Sequence, residues 1–341
     1  MLSERAKQVL SAVVQMYITT GEPVGSRAVW KQYKFSISPA TIRNIMADLE
    51  EMGLFYQPHT SAGRVPTELG WRIYIDALLE KRPLSQKCRK QIRQSLKEDR
   101  DNIEKILKES SKILSSYSQH AGIVVAPKFS TIILKYIEFV QLRKNSILTI
   151  IVGNRGMVYH RVISAPTVIS QQDLTRFANY LNTSFTGLTL GEVSQRLIEE
   201  MKKDKARFDT IWNKVFQLSQ HMFWPEKEQI YIEGTVNILN YPEFSDVETL
   251  KSLLVAFEEK SIIARLLEKT MRDAKPQVFV GSEIEQKELR ECGIVASPYM
   301  SGDSVLGTVA VIGPIRMNYA SVIPLVEYTA QVLSEILAKN E

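Results

Sequence analysis

The feature that most constrains this chain is a change of period at Gly53. Up to that glycine, apolar residues recur at three- and four-residue spacing; after it they follow a short strand–turn–strand pattern. The stretch SPATIRNIMADLEEMGL (38–54) has Ser38 in the capping position and Pro39 at the first helical position. Ile42, Ile45, Met46 and Leu49 form its inward stripe, and Gly53 stops it. Two helices are predicted before it. Ser3 caps the first, which carries Val9, Val13, Val14 and Tyr17 and ends at Gly21; the second starts near Ser26, with Val29, Trp30 and Tyr33 as its apolar face. After Gly53, LFYQP (54–58) reads as a strand, HTSAG (59–63) as a polar loop and RVP (64–66) as the returning strand. Thr67 then caps a further helix through Leu69, Ile73, Tyr74 and Ala77. Three short helices and a hairpin, in that order, make a winged helix-turn-helix, whose third helix enters the DNA major groove while the hairpin touches the flanking backbone.

The outer face of the third helix is graded. Thr41, Arg43 and Asn44 lie at its start, and Asp48, Glu50 and Glu51 at its end. Asn pairs bidentately with adenine and Arg with guanine, and free N–H groups at a helix start meet phosphate. Phosphates repel the acidic end, so the gradient directs the Ser38 end into the groove. The helix alone also fits a plain solvated surface. The loop HTSAGR adds small hydrogen-bonding residues, a flexible Gly63 and Arg64, which suit a backbone grip. Residues 1–75 hold eight Lys/Arg against six Asp/Glu, a net of only +2, so tight binding calls for two modules in a dimer.

Further along, Ile92, Leu96, Ile103, Ile106, Ile113 and Tyr117 form a heptad-like stripe between about Leu84 and Tyr117, interrupted by Asp99 and Ser110. Two readings fit: a two-stranded coiled coil, or a linker helix whose stripe packs on the next domain. AGIVVAP (121–127), LKYIEFVQL (134–142), ILTIIVGN (147–154) and MVYHRVIS (157–164) are predicted strands, the last two joined by a turn at NRG. Residues 170–226 are helical and polar, including EEMKKDKARFD (199–209). YIEGTVNIL (231–239) restores strand, a helix rich in Leu and Ile spans about 246–271, and QVFVG, GIVASPYM and LGTVAVIGP add three strands before a helix over about 320–338. One sheet from about 121 to 341, interrupted by a helical insertion, is the expectation.

Length allows two or three domains. The net charge of +5 and pI near 9.0 lean towards an anionic partner, though a solvated surface also accommodates them. Cys88 and Cys292 form no CxxC pair, which argues against a disulfide scaffold or a Cys-rich zinc site. The charged start MLSERAKQVL does not read as a signal peptide, and no apolar run reaches about 18 residues, so no membrane association is expected and the compartment is a reducing cytoplasm.

Three segments carry a family resemblance: LSERAKQVLSAVVQMYITTGEPVGSRAV, ISPATIRNIMADLEEMGLFYQPHTSAGRVPTELGWRIYID and VLGTVAVIGPIRMNYASVIPLVEYTAQVLSEIL. Together they resemble the HrcA family of bacterial heat-inducible transcription repressors, over nearly the whole chain. The resemblance implies an α+β multidomain fold: a winged helix-turn-helix over 1–82, a linker helix over 83–118, a GAF-like α/β domain over 119–169 and 227–341, and an inserted dimerisation segment over 170–226. It also implies a homodimer on an inverted-repeat operator in double-stranded DNA, called CIRCE, upstream of chaperone operons, with activity maintained by the GroE chaperonin. The recognition segment maps to Ser38–Asp48 and the wing to Pro58–Pro66. The candidate DNA contacts are then Ser26, Arg27 and Lys31 on the second helix, Ser38, Ala40, Thr41, Arg43 and Asn44 on the third, and His59, Thr60, Ser61 and Arg64 on the wing. No cofactor or metal is expected.

Other functions weigh less. His59, His120, His160 and His221 are scattered, and no HExxH, GxSxG or GxxxxGK[ST] pattern occurs, which argues against an enzyme. A ligand-responsive repressor would use a cleft lined by Tyr159, Arg161, Tyr299 or Met300, residues that equally suit core or surface. A partner-binding protein without DNA affinity is the third alternative, separated from the first by a salt titration on a palindromic duplex.

Overall fold

The structure, a computed structural model, describes residues 2–98, 103–127, 129–153, 158–165, 168–203, 229–302 and 304–338. Helix α1 (Glu4–Thr20) starts where the Ser3 hydroxyl accepts the Ala6 N–H and ends at Gly21, left-handed at φ 70°. Helix α2 (Ser26–Tyr33) buries Val29, and α3 (Pro39–Glu51) buries Ile42, Met46 and Leu49, with Ile45 half-buried. Trp30 departs from the expected inner face of α2: it is 44% exposed, because one buried position per turn suffices for an eight-residue helix packed on α3. Strands β1 (Phe55–Tyr56) and β2 (Val65–Pro66) pair antiparallel, and Val24 bridges to Arg64 as a third rung. Thr67 caps α4 (Glu68–Ile73), which continues as a wider π-turn over Tyr74–Leu78.

The stripe expected as one long helix belongs to two, α5 (Gln86–Glu98) and α6 (Ile103–Ser118), packed on each other. Ile92, Leu96, Ile106 and Ile113 of the stripe are buried and Ile103 half-buried, so it packs within the fold as in the second reading, while Tyr117 at its end is 45% exposed. Beyond α6 the chain builds a five-stranded antiparallel sheet in the order β7 (Ile230–Glu233), β3 (Ala121–Val125), β10 (Ser304–Pro314), β9 (Cys292–Ser301), β8 (Gln277–Val280). Alternate residues feed two cores. Val124, Val295, Val309 and Val311 face α6 and the final helix α11 (Tyr319–Ala338), while Ile123, Ile294, Ala310 and Ile312 face α9 (Val247–Glu258) and α10 (Lys260–Asp273). α6 lies close on β3. A Cβ at Gly122 would meet the Ser111 carbonyl at 2.2 Å, and the helix presents the buried serines Ser110, Ser111 and Ser115 there.

Two expectations are corrected here. Strand ends at Glu233, because Gly234 adopts φ 75° and turns the chain into a 3-10 helix over Thr235–Asn240. The single sheet expected over 121–341 is two sheets: β4 (Leu134–Arg143), β5 (Ser146–Gly153) and β6 (Val158–Ser164) form a separate three-stranded one. It encloses its own core with α7 (Gln171–Phe185) and α8 (Leu190–Lys203), including Phe139, Ile151, Phe177 and Leu181. The interruption of the larger sheet therefore begins near Phe129 and not near 170; its strands alternate buried and more exposed residues, whereas β3, β9 and β10 of the main sheet are buried on both faces. The NRG turn (154–156) and residues 204–226 lie outside the described residues.

Helices α1–α4 do not hang free. The N-terminal helices, α5, α6, α11 and one face of the five-stranded sheet share one apolar cluster. Trp71 of α4 sits at its centre, with ring centroids 6.4 Å from Tyr17, 6.3 Å from Tyr74 and 5.9 Å from Tyr319. Beside it Arg72 donates to both carboxylate oxygens of Glu283 at 2.8 and 2.6 Å and to the Val278 carbonyl at 2.9 Å. Glu68 accepts from the backbone and hydroxyl of Ser282, and Arg316 donates to the Ile18 carbonyl at 3.2 Å while pairing with Glu243. Trp71→Ala is expected to cost about 3–5 kcal/mol in a denaturant titration, as for other buried Trp deletions. Leu69→Ala, at the exposed neighbour on α4, should stay within about 0.5 kcal/mol of zero; equal losses at the two sites would refute this account of the junction.

Candidate nucleic-acid interface

The start of α3 is organised by hydroxyls. Ser38 Oγ accepts the Thr41 N–H at 3.1 Å and lies 3.0 Å from Thr41 Oγ1, so the cap and the first-turn threonine are one hydrogen-bonded unit. Thr41 is half-buried, whereas Ser38, Ala40, Arg43 and Asn44 are exposed. Neither Arg43 nor Asn44 has an internal side-chain partner among the described residues. The helix thus presents an unpaired guanidinium and an unpaired amide beside its hydroxyl-capped first turn, donors that base edges and phosphates accept.

The hairpin is tied to α3 more firmly than a flexible loop. Gln57 Nε2 donates to the carbonyls of Thr60 and Ala62, both at 2.9 Å, and the Ala62 N–H closes a turn on His59 at 2.8 Å. His59, Thr60 and Ser61 are left exposed at the tip. The expected flexibility of Gly63 is corrected: a Cβ there would meet Val24 backbone atoms at 2.3–2.6 Å, so the glycine admits a close crossing of two chain segments. Arg64 follows, with its backbone paired to Val24 in both directions at 2.8 and 2.9 Å. Its guanidinium forms an ion pair with Glu50 at 2.7 Å, the two side chains being 17% and 32% exposed. The acidic end of α3 is therefore partly neutralised from inside; Asp48 and Glu51 remain exposed without that partner.

On α2, Arg27 and Lys31 are exposed and Ser26 half-buried. Lys34, exposed at the left-handed end of α2 (φ 47°), joins them. Arg27, Lys31, Lys34 and Arg43 carry no ion pair among the described residues. Lys34 and the exposed Trp30 were missed in sequence; the K-x-x-K spacing of Lys31 and Lys34 was the available signal. Gln57 was missed too, because a clamp made to backbone carbonyls leaves no pattern.

The comparisons with known proteins bear on this arrangement. Residues 104–323 match the family model described as HrcA protein C terminal domain. A heat-inducible transcription repressor HrcA from Syntrophobacter fumaroxidans is 43% identical over 98% of this chain and 97% of its own length, and one from Geobacter sulfurreducens is 44% identical over 98% of each. The chain belongs to the HrcA family. A solved crystal structure of a hypothetical protein, 23% identical and covering all of both chains, has the same fold at a TM-score of 0.64. HrcA relatives are named for transcriptional repression and not for catalysis.

In this HrcA chain the histidines stay apart. His59 is on the hairpin, and His160 is exposed on β6 opposite Ile150. His120 is buried against Tyr241 at 5.2 Å, its pKa pushed down to about 4 by burial and then by Arg316. His221 lies outside the described residues. No group of three His, Cys, Asp or Glu among the described residues is placed to hold a metal, and no helix among them is long and apolar enough to cross a membrane. Of the residues considered for a ligand cleft, Tyr299 is fully buried and donates to the Val125 carbonyl at 2.8 Å, and the Met300 N–H is held by Ser334 Oγ at 2.8 Å. Tyr159 and Arg161 belong to the other sheet.

The Arg64–Glu50 pair predicts a coupling. In a double-mutant cycle, Arg64→Ala and Glu50→Ala should be non-additive by up to about 1 kcal/mol, weakening in high salt. Both should speed amide exchange over residues 59–62. Full additivity would remove this pair as the link between hairpin and helix.

Proposed function

We propose that this chain is a sequence-specific transcriptional repressor of heat-shock (chaperone) operons, acting in the cytoplasm as a homodimer on the inverted-repeat CIRCE operator. Residues 1–82 serve as a winged helix-turn-helix and the five-stranded sheet with its helices as a GAF-like domain. The observation that carries this is the unpaired Arg43 and Asn44 on the exposed first turns of α3, flanked by the anchored hairpin and the unpaired cations of α2. α3 enters the major groove Ser38 end first. Arg43 and Asn44 read bases, while Ser26, Arg27, Lys31, Ser38, Ala40, Thr41 and the hairpin tip His59, Thr60 and Ser61 fix the register on the backbone. Arg64 contributes chiefly by holding the hairpin to Glu50.

Arg43→Ala or Asn44→Ala should weaken binding to the inverted repeat by about 1–3 kcal/mol and relax base choice. Arg27→Ala and Lys31→Ala should weaken binding to every sequence and make the salt slope shallower by about 0.9 for each residue and protomer. Titrations on the repeat and on a scrambled duplex separate the two classes. An Arg27 variant with altered base preference would overturn the division of roles.

The second copy is supported by the outer face of the β4–β5–β6 sheet. Across the register this face runs Tyr136–Val152–Val158 and Val140–Leu148–Val162, with Glu138–Ile150–His160 between them, and Tyr136, Val158 and Val162 are about half exposed or more. An exposed apolar sheet face of this kind marks an interface. Joining two such faces through a two-fold axis sets two α3 helices about one or a small multiple of 34–36 Å apart. Val162→Asp should yield monomers in sedimentation and lose operator binding without unfolding; a variant that stays dimeric would remove this face as the interface.

The family's link to the GroE chaperonin makes repression a readout of free chaperonin. Footprinting a chaperone-operon promoter, with and without chaperonin, tests the whole reading. An inverted-repeat footprint strengthened by chaperonin is expected. No footprint under either condition would reject the repressor function, and a footprint indifferent to chaperonin would reject the sensing.

A further inference from the structure

The strongest concentration of charge in the chain lies outside the residues considered so far. Residues 81–97 contain Lys81, Arg82, Lys87, Arg89, Lys90, Arg93 and Lys97 and no Asp or Glu. These seven cations exceed the net charge of +5 for all 341 residues, so the remainder of the chain is net acidic. Like charges three and four positions apart on a helix repel by about 0.2–0.5 kcal/mol per pair, and surfaces left to solvent ordinarily mix signs. α5 does not.

Its cations divide by the face they occupy. Ile92 and Leu96 are fully buried. On the flank next to them Arg93 pairs with Glu335 at 2.6 Å and Arg89 stacks over the Tyr328 ring at 5.4 Å, both partners on α11. These contacts fix α5 on the core. Opposite, Lys87, Lys90, Gln94 and Lys97 are exposed, and none of these lysines has an ion pair among the described residues. Lys90, Arg93, Gln94 and Lys97 line an open cleft of about 400 Å³. At the helix start, Arg82 is exposed, its N–H held by the Ala320 carbonyl at 2.8 Å. Its guanidinium acts on the hydroxyl of Tyr33, the last residue of α2, which burial otherwise raises. Lys31 and Lys34 flank that tyrosine. Unpaired cations thus lie on α2, at Arg82 and on the outer face of α5.

We infer that this face of α5 is a second DNA contact, gripping the sugar–phosphate backbone beyond each half of the operator through Lys87, Lys90 and Lys97. The inference rests on the DNA-binding reading above and extends its footprint. Thirteen helical residues span about 20 Å, the length of about six base pairs. Lysines, point charges without a rigid hydrogen-bonding fork, suit phosphate, and such backbone contacts fix position without reading sequence. The low charge of residues 1–75 is then offset by cations on a neighbouring helix as well as by a second copy.

The test uses the full-length chain with Lys87→Gln, Lys90→Gln and Lys97→Gln combined, and two duplexes: the inverted repeat alone, and the same repeat with about 10 flanking base pairs on each side. The wild type should bind the longer duplex more tightly. The triple variant should lose that gain and show a salt slope on the long duplex shallower by about 0.9 for each lysine and protomer. Its preference for the repeat over a scrambled sequence and its melting temperature should be unchanged. A variant that keeps the flank gain and the slope overturns the inference while leaving the repressor reading standing, and would turn attention to an acidic protein partner for this face. An equal loss on both duplexes would move the lysines onto the half-site and overturn the flanking assignment. Wild-type protein with no selective, salt-dependent binding to either duplex would reject the earlier reading and this one together.

Discussion

The placement of the N-terminal helices on the five-stranded sheet is referred to α11. The helix is apolar along most of its length, and its two sides are occupied by different parts of the chain: the five-stranded sheet on one, α5, α6 and the N-terminal helices on the other. Trp71 and Tyr319 fill the point where these meet. Because close-packed interiors transmit displacement instead of absorbing it, the orientation of α3 is set by the sheet. Swinging α1–α4 away would expose Trp71, Tyr17 and Tyr319 and break the contacts of Arg72, Glu68 and Arg316 at once. The N-terminal helices are thus held in a definite attitude by the sheet and α11 together.

The local elements were legible in sequence because their signals are local. Ser3, Ser38 and Thr67 cap the helices they were expected to cap, and Gly21 and Gly53 end theirs with positive φ. What escaped were relations between segments far apart in the chain. β4–β6 alternate where β3, β9 and β10 are buried on both faces, a difference present in the sequence, but alternation alone does not say which sheet a strand joins. The stripe over 84–117 predicted burial correctly but not a division into two helices. Val24, beside the Gly21–Gly25 turn, has no strand pattern, yet it completes the hairpin and makes a glycine necessary at position 63.

The charge gradient along α3 illustrates the same limit at the level of one site. Read in sequence, Glu50 and Arg64 have opposite duties, one turned away from DNA and the other towards it. In three dimensions they are bonded, and a half-buried pair of this kind serves placement more than affinity. What remains outward is Arg43 and Asn44 at one end and Asp48 and Glu51 at the other, so the gradient persists with fewer members and a steeper contrast.

The three-stranded unit enters the fold between β3 and β7, and these two strands are direct neighbours: Val125, where the chain leaves, pairs with Ile230, where it returns. For the sheet, the hundred-odd residues between behave as an elaborate hairpin loop. Closing such a loop costs free energy that rises only with the logarithm of its length, so this segment is open to insertion, deletion or wholesale exchange while the rungs on either side of it stay in register. The architecture separates what must be held constant to aim α3 from what can be rebuilt to choose company.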